Sequence, residues 1–363
     1  MNIIGIRLAM LRLPLRTPFR TALRTVEQLE DIVVQVQVDS GHWGYGEAPP
    51  TAAITGETHA SLMEAINGYI APAIMGRSID DIDSLSRMVQ HAMARNSSAK
   101  AAVEMALYDL HAQMHGVPLH ELLGGSTTSL MTDLTISVGA IDKMVADTRD
   151  ALARGFTALK IKLGRELELD VERVQAIHET AKGRASLRLD ANQGWTARHT
   201  VDVLHALERA GIVPELIEQP VPAYDLDGMR YVIERVQTPV MADESVFGPE
   251  DVQRLLREKA ADIVNIKLMK AGGIARALRI ADIAADHGVP CMMGCMLESG
   301  ISVAAAAHVA AARPDTIRLI DLDGPQLCAI DPVRGGVRFH GPHIDLSRSP
   351  GLGIDHVERL QWF

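Results

Sequence analysis

From about residue 130 to residue 323 the chain repeats one texture: a short β-branched run, a polar turn, an amphipathic helix, and then the next run. Strands are predicted at 132–138, 157–163, 186–192, 214–220, 239–245, 262–268, 290–296 and 316–323. Their phase is even, with residues 135 and 160 lying 25 apart, 243 and 267 lying 24 apart, and 267 and 293 lying 26 apart. Between them, Val171, Val174 and Ile177, then Val201, Leu204 and Leu207, then Val252, Leu255 and Leu256 mark apolar helix faces. Gly155, Gly211 and Gly288 fall where helix C-termini are expected. Strands that alternate with helices call for a parallel sheet, and eight such units predict an α/β fold of the TIM-barrel kind. An open doubly wound sheet is the alternative. Its first strand–helix turn should carry a glycine-rich phosphate fingerprint, and none is present.

The segment before the repeats has a different texture. Residues 2–14 and 30–38 read as strands, and Trp43-Gly-Tyr-Gly-Glu47 begins a returning one. Thr17 to Thr25 reads as a polar loop with two arginines. Helical patterns cover 57–70, 80–94 and 97–115, with Ser97 or Ser98 available as a cap for the third. This is an α+β unit. After Asp323 the repeat stops, 333–339 reads as a hairpin, and the tail is expected to return to the N-terminal unit. The expected division is residues 1–125, an α+β capping domain; 126–323, the barrel; and 324–363, the returning segment.

At 363 residues the chain exceeds the usual single-domain size, and 47% hydrophobic content can supply a large core. A net charge of -10 argues against nucleic acid or an anionic membrane as partner. Cys291, Cys295 and Cys328 have no zinc spacing with any histidine and read as buried thiols. No signal-peptide core and no membrane-length apolar run is present, so a cytoplasmic location is expected.

Barrels place chemistry at the C-terminal ends of their strands, and the ionisable residues fall there. Lys160 and Lys162 close the second strand, on one face of Thr157-Ala-Leu-Lys-Ile-Lys-Leu163. Asp190 closes the third, Glu218 the fourth, Asp243 the fifth, Lys267 the sixth, and Asp321 and Asp323 the eighth. Any one of these reads equally well as a helix cap or a solvated charge. The whole set in register around one rim does not.

Asp190, Glu218 and Asp243 stand on consecutive strands, and three hard carboxylates without His or Cys suit Mg²⁺, with Mn²⁺ as the alternative. Strands two and six lie opposite each other in an eight-strand ring, so Lys162 and Lys267 face one another with the metal between them in strand order. A chelated carboxylate that loses its α-proton becomes an enediolate whose charge the metal stabilises. One lysine would remove that proton and the other return one to the opposite face, inverting the carbon. Lys160 and the metal should both disfavour the charged form of Lys162, while Lys160 could instead touch the substrate carboxylate. Asp321 and Asp323, on the side away from the metal, suit a cationic substrate group better than a metal.

These residues resemble the enolase superfamily in its muconate-lactonizing-enzyme subgroup, which carries K-x-K on strand two, metal-binding Asp, Glu and Asp on strands three to five, and a strand-six lysine. The whole chain is most similar there to dipeptide epimerases. The marks are Phe19-Arg-Thr-Ala-Leu-Arg-Thr25, Gly46-Glu-Ala-Pro-Pro50, Ile54-Thr-Gly56, Asn265-Ile-Lys-Leu-Met-Lys-Ala-Gly-Gly273 and the Asp-x-Asp of strand eight. The resemblance implies a modified (β/α)₇β barrel under an α+β cap built from both termini. It also implies Mg²⁺, Lys162 and Lys267 as the acid/base pair, and Asp321 and Asp323 on the α-ammonium of a dipeptide. Arg24 would meet the side-chain carboxylate of an epimerised glutamate, Phe19 and Ile54 would line the pocket, and Thr135 is a further contact candidate. Cys295-Met-Leu-Glu-Ser-Gly300 departs modestly from the pattern, near loops that shape specificity. The implied partners are a small dipeptide and further copies of the chain. N-acylamino acid racemase, muconate cycloisomerase and o-succinylbenzoate synthase share the lysines and metal, but their substrates offer Asp321 and Asp323 no free ammonium. A non-enzymatic metal-dependent scaffold has no use for lysines aimed at a metal.

Overall fold

The structure, a computed structural model, describes residues 1–164 and 166–363. Eight parallel strands follow one another in chain order around a nearly closed barrel: Leu134–Ile136, Ala158–Lys162, Ser186–Asp190, Leu216–Glu218, Val240–Ala242, Ile263–Ile266, Cys291–Gly294 and Ile317–Asp321. They are counted one to eight below. Each lies within its predicted run but is shorter. Among the described residues, seven longer helices link them, Ile141–Ala153, Leu167–Ala181, Ala197–Arg209, Leu226–Ile233, Pro249–Arg257, Ile274–Asp286 and Gly300–Ala312, with the short helix Leu268–Ala271 ahead of the sixth. Gly155, Gly211 and Gly288 follow three of these with φ of 89°, 75° and 69°, left-handed turns that glycine adopts without Cβ strain. Among the described residues the sole helix after strand eight is the four-residue Gly324–Leu327, which makes the barrel (β/α)₇β.

Side chains fill the barrel in layers. Leu216, Met241, Ile263 and Met292 form its apolar floor with Leu319 packed against them. Above, Arg188 donates to Asp133 at 2.9 Å and to the Ile320 carbonyl at 3.1 Å, a buried ion pair that reaches across the gap between strands one and eight. No ladder joins those two strands among the described residues. One backbone bond, from the Asp133 amide to the Ile320 carbonyl at 3.3 Å, crosses the seam, and side chains close the rest: the Leu322 amide donates to Thr132 Oγ1 at 2.9 Å and the Thr135 amide to Asp323 Oδ2 at 2.7 Å.

Above the barrel, Ile3–Arg20, Thr25–Val38 and Trp43–Ala48 form an antiparallel sheet whose fourth strand is Gln361–Trp362, paired with Ala9 and Met10. Arg7 lies between the rings of Trp43 and Trp362, 4.1 and 3.9 Å from their centroids. The tail thus returns to the N-terminal unit. Residues 17–25 are not a loop. They are the outer arms of one long hairpin that turns at Thr21–Arg24, with a register shift between Pro14 and Phe19. The 333–339 hairpin is also overturned, since Val333–Gly335 pairs with Ile354–Val357 and Arg338–His340 with His343–Asp345.

Buried glutamates join the layers. The Glu47 carboxylate, at the end of the third cap strand, accepts the amides of Ser299 and Ser302, both at 3.0 Å, at the start of barrel helix Gly300–Ala312. Glu104, within cap helix Ser97–His115, accepts the Ala275 amide at 2.7 Å at the start of Ile274–Asp286. Neither Ser97 nor Ser98 caps Ser97–His115. Asn96 holds the cap position, but its side chain makes no capping bond, and Glu57 accepts the amides of Ser98 and Ala99 at 3.0 and 3.1 Å. A carboxylate at a helix N-terminus satisfies orphan amides and complements the helix dipole. Helix Gly300–Ala312, apolar all round and buried throughout, lies between cap and barrel as such a helix must. Because Glu47 is fully buried, Glu47→Ala should lower the free energy of unfolding by about 1.5–3 kcal/mol, the typical worth of a charged hydrogen bond. Urea unfolding followed by circular dichroism checks this, and an unchanged midpoint would remove Glu47 as the joint.

Candidate active site

A narrow cavity of about 50 Å³ lies between the barrel mouth and the hairpin tip, and its walls hold nine of the residues singled out from sequence: Phe19, Arg24, Ile54, Thr135, Lys160, Lys162, Lys267, Asp321 and Asp323. The remaining three, Asp190, Glu218 and Asp243, are fully buried just beneath and touch the cavity lysines. Strand pairing sets this order. Lys162 is registered with Asp190 and Asp190 with Glu218, so inward side chains from successive strands stand beside one another.

Lys162 Nζ donates to Asp190 Oδ2 at 2.5 Å, and Lys267 Nζ to Asp243 Oδ2 at 2.8 Å. Around the rim the order is therefore lysine, Asp190, Glu218, Asp243, lysine. Glu218 is positioned by Asn265, whose Nδ2 donates to its Oε1 at 2.7 Å. Lys160 Nζ reaches Asp321 Oδ2 at 2.6 Å, Glu218 Oε2 at 2.7 Å and Asp190 Oδ2 at 3.3 Å. Asp321 is therefore not remote from the three carboxylates: one ammonium bridges it to two of them. That ammonium stands between Glu218 and Asp190, and among the described residues no three acidic, His or Cys side chains close on one point tightly enough to chelate an ion.

The carboxylates still fit a divalent cation. Glu218 Oε2, Asp243 Oδ1 and Glu244 Oε2 accept no aligned hydrogen bond although all are buried. Burial, and next the charge of Asp190, push Glu218 up to about 8, while burial and Asp243 push neighbouring Glu244 up to about 7. Acids that crowd one another in this way are short of positive charge, and an all-oxygen set suits a hard dication. Asp243 stays below the usual carboxylate range; burial works against this, but Lys267 and Lys270 outweigh it. Lys267 is correspondingly held well above the ordinary lysine value, the Asp243 charge outweighing the burial that would lower it.

At the opposite wall, Asp321 is held near 2, burial being outweighed by Lys160 and the other lysines, whereas burial and the charge of Asp321 raise Asp323 to about 6. Arg24 lies half-buried at the hairpin turn, and its guanidinium makes no hydrogen bond or ion pair among the described residues; burial lowers its pKa against the pull of Asp31. Phe19 places its ring 6.0 Å from Lys162 Nζ. Sequence reasoning passed over Lys270, whose buried ammonium lies 2.5 Å from Asp243 Oδ1 and also bonds the Asp243 carbonyl. The only signal for it was an apolar helix start interrupted by a lysine. Thr21, Leu23, Ala53, Asn192 and Leu327 also line the cavity, as do Cys295, Met296 and Leu297 at the start of the departing segment after strand seven.

Residues 3–124 match the mandelate racemase/muconate lactonizing enzyme N-terminal domain, and residues 143–360 match the enolase C-terminal domain-like family. The chain is 44% identical to the L-Ala-D/L-Glu epimerase of Clostridium acetobutylicum, over 96% of this chain and 97% of that one. Its fold superposes on a substrate-liganded L-Ala-D/L-Glu epimerase from Bacillus subtilis with a TM-score of 0.97 at 44% identity, covering 98% and 99% of the two chains. A dipeptide epimerase from Enterococcus faecalis, complexed with Mg and L-Leu-L-Tyr, matches with a TM-score of 0.94 at 39% identity, covering 98% and 100%. These relatives are epimerases, enzymes of the isomerase class, and the chain belongs with them to the mandelate racemase/muconate lactonizing enzyme family of the enolase superfamily.

Proposed function

We propose that this chain epimerises a dipeptide at the α-carbon of its second residue, with L-Ala-L-Glu as the preferred substrate. The observation that carries this reading is the rim order itself: two lysines, each paired with an outer carboxylate, flank Glu218 from opposite sides. Asp190, Glu218 and Asp243 would hold Mg²⁺, the ion that accompanies the Enterococcus faecalis relative. The bound ion would draw charge from the substrate carboxylate as the α-proton leaves.

Lys162 and Lys267 divide the proton transfers. One takes the α-proton at its Nζ, and the other delivers a proton from its Nζ to the opposite face. A lysine that accepts a proton must first be neutral, and in the protein alone Asp243 holds Lys267 as an ammonium. Engaging that carboxylate elsewhere releases the hold. Asp321 and Asp323 would bind the α-ammonium, and the Thr135 amide fixes Asp323 for that contact. The unpaired guanidinium of Arg24 would read the glutamate side chain. A space of 50 Å³ holds no more than a few water molecules, so binding requires Lys160 to leave Glu218 and the hairpin tip to lift. Lys160 is then free to meet the substrate carboxylate.

Lys162→Ala and Lys267→Ala should each abolish epimerisation, while each exchanges the α-proton of the one stereoisomer that its remaining lysine faces. Mass spectrometry in D₂O reads this out, and equal exchange of both stereoisomers by both variants would defeat the two-base assignment. Asp190→Asn, Glu218→Gln and Asp243→Asn should each weaken Mg²⁺ binding in calorimetry while circular dichroism stays that of a folded barrel; unchanged affinity in all three would exclude them as ligands. Arg24→Ala should lower kcat/KM for L-Ala-L-Glu roughly ten- to a hundredfold, the equivalent of about 1.5–3 kcal/mol for a charge-assisted bond. L-Ala-L-Leu, which makes no such bond, should be little affected. Equal loss for both dipeptides would leave a dipeptide epimerase with a different preference.

A further inference from the structure

A second cleft, of about 580 Å³, opens between the cap and barrel strands five and six, on the other side of the Ile54–Thr55 turn from the active-site cavity. Its volume is that of a small-molecule site. Of the residues that line it, Arg95, Lys100, Lys270 and Arg276 are cations, His91 is a fifth basic group, and none is Asp or Glu. That runs against the prevailing charge of a chain with 46 acidic and 36 basic residues.

The cations differ in how far they are already neutralised. Lys270 is committed to Asp243, and Arg276 donates to the exposed Glu250 at 3.0 Å and to the Ala271 carbonyl at 2.9 Å. Lys100 is buried, at 6% exposure, yet its Nζ donates only to the neutral carbonyls of Gln90 and Met93 at 2.9 and 2.6 Å. Burial, and then the charge of Arg276, lower its pKa, so the two cations crowd each other more than Glu57 relieves them. Arg95 is exposed at the mouth, with no side-chain bond among the described residues. It and Asn96 hold φ of 54° and 51°, a left-handed pair that is costly for arginine. Lys100 and Arg95 thus lack a carboxylate partner among the described residues, and a buried ammonium such as that of Lys100 is expensive unless an anion completes it.

We infer that this cleft is a binding site for a small organic phosphate, its dianion held by Lys100, Arg95 and Arg276 and its body against Phe247 and Ile54. A phosphate dianion matches a cleft lined by several cations better than a monocarboxylate does, and arginine's planar fork suits it. The two apolar walls, and a volume well beyond that of inorganic phosphate, favour a ligand with an organic body. This site adjoins the dipeptide cavity, with which it shares Ile54, but does not depend on the reaction proposed there.

Calorimetry on the full chain in metal-free buffer tests the inference, with phenyl phosphate and inorganic phosphate as probes. Phenyl phosphate should bind saturably and more tightly than inorganic phosphate. Arg95→Asn removes the cation and supplies a residue that tolerates the same backbone, and it should weaken binding about tenfold, the loss of one charge-assisted bond. Arg24→Ala should leave the affinity unchanged, because Arg24 lines the other cavity. No saturable heat at millimolar phenyl phosphate would overturn the inference. So would binding that Arg24→Ala abolishes and Arg95→Asn spares, which would place the anion in the dipeptide cavity. Equal affinity for the two probes would remove the organic body from the assignment.

Discussion

Four carboxylates and four ammonium groups are packed out of water at the mouth of the barrel, and the remaining chemistry depends on their mutual neutralisation. Asp190, Glu218, Asp243 and Asp321 face Lys160, Lys162, Lys267 and Lys270, all of them buried. A lone charge at that depth would cost several kcal/mol, so each side makes the other tolerable. Asp323 and Glu244, buried at the same mouth, add two more carboxylates, and burial and crowding raise both. The acids therefore outnumber the ammonium groups, a shortage of positive charge that a hard dication would make good.

The mouth is covered by a hairpin whose tip carries Arg24, and the tip is located by contacts far from it. Glu47 ties the third cap strand to barrel helix Gly300–Ala312, and Glu104 ties the long cap helix to the start of Ile274–Asp286. Each of these bonds joins a carboxylate of one layer to a helix start of the other, so neither layer can slide without exposing amides. At the tip Thr21 accepts the amides of Leu23 and Arg24 at 3.1 and 3.3 Å. Beside this turn the Arg20 amide donates to Ser137 Oγ at 3.2 Å and the Arg20 carbonyl accepts the Val138 amide at 3.3 Å, so the arm of the hairpin is tied to the segment that follows barrel strand one.

Most of this was legible in the sequence because barrel chemistry is local. A lysine or aspartate at the end of an apolar alternation names its own strand, its own face and its own height, and the order of strands does the rest. Lys162, Asp190, Glu218, Asp243 and Lys267 were visible for that reason. What failed to show was partner choice over long distances. The arms of the first hairpin beyond Pro14 carry polar residues and look like loop, and only their cross-strand pairing makes them strands. Val333–Gly335 has the pattern of a strand, but nothing in it names residues 354–357 as its partner. Glu57, Glu47 and Glu104 look like ordinary polar residues until the helices they cap are brought to them. Lys270 sits inside a helix start, where a lysine is usually solvated.

The strand made by Gln361 and Trp362 has a consequence for how the molecule is made. It pairs with Ala9 and Met10, so the outer edge of the cap sheet joins segments separated by more than 350 residues. On a ribosome, that edge stays open until after the whole barrel has been synthesised. Contacts of such high sequence separation form late, after shorter loops have closed. The first three cap strands pair locally and the barrel can collapse strand by strand as it emerges, whereas the second tryptophan ring over Arg7 waits for residue 362. Nascent chains would therefore carry an unpaired sheet edge at Ala9 and Met10 while the barrel assembles beneath the hairpin.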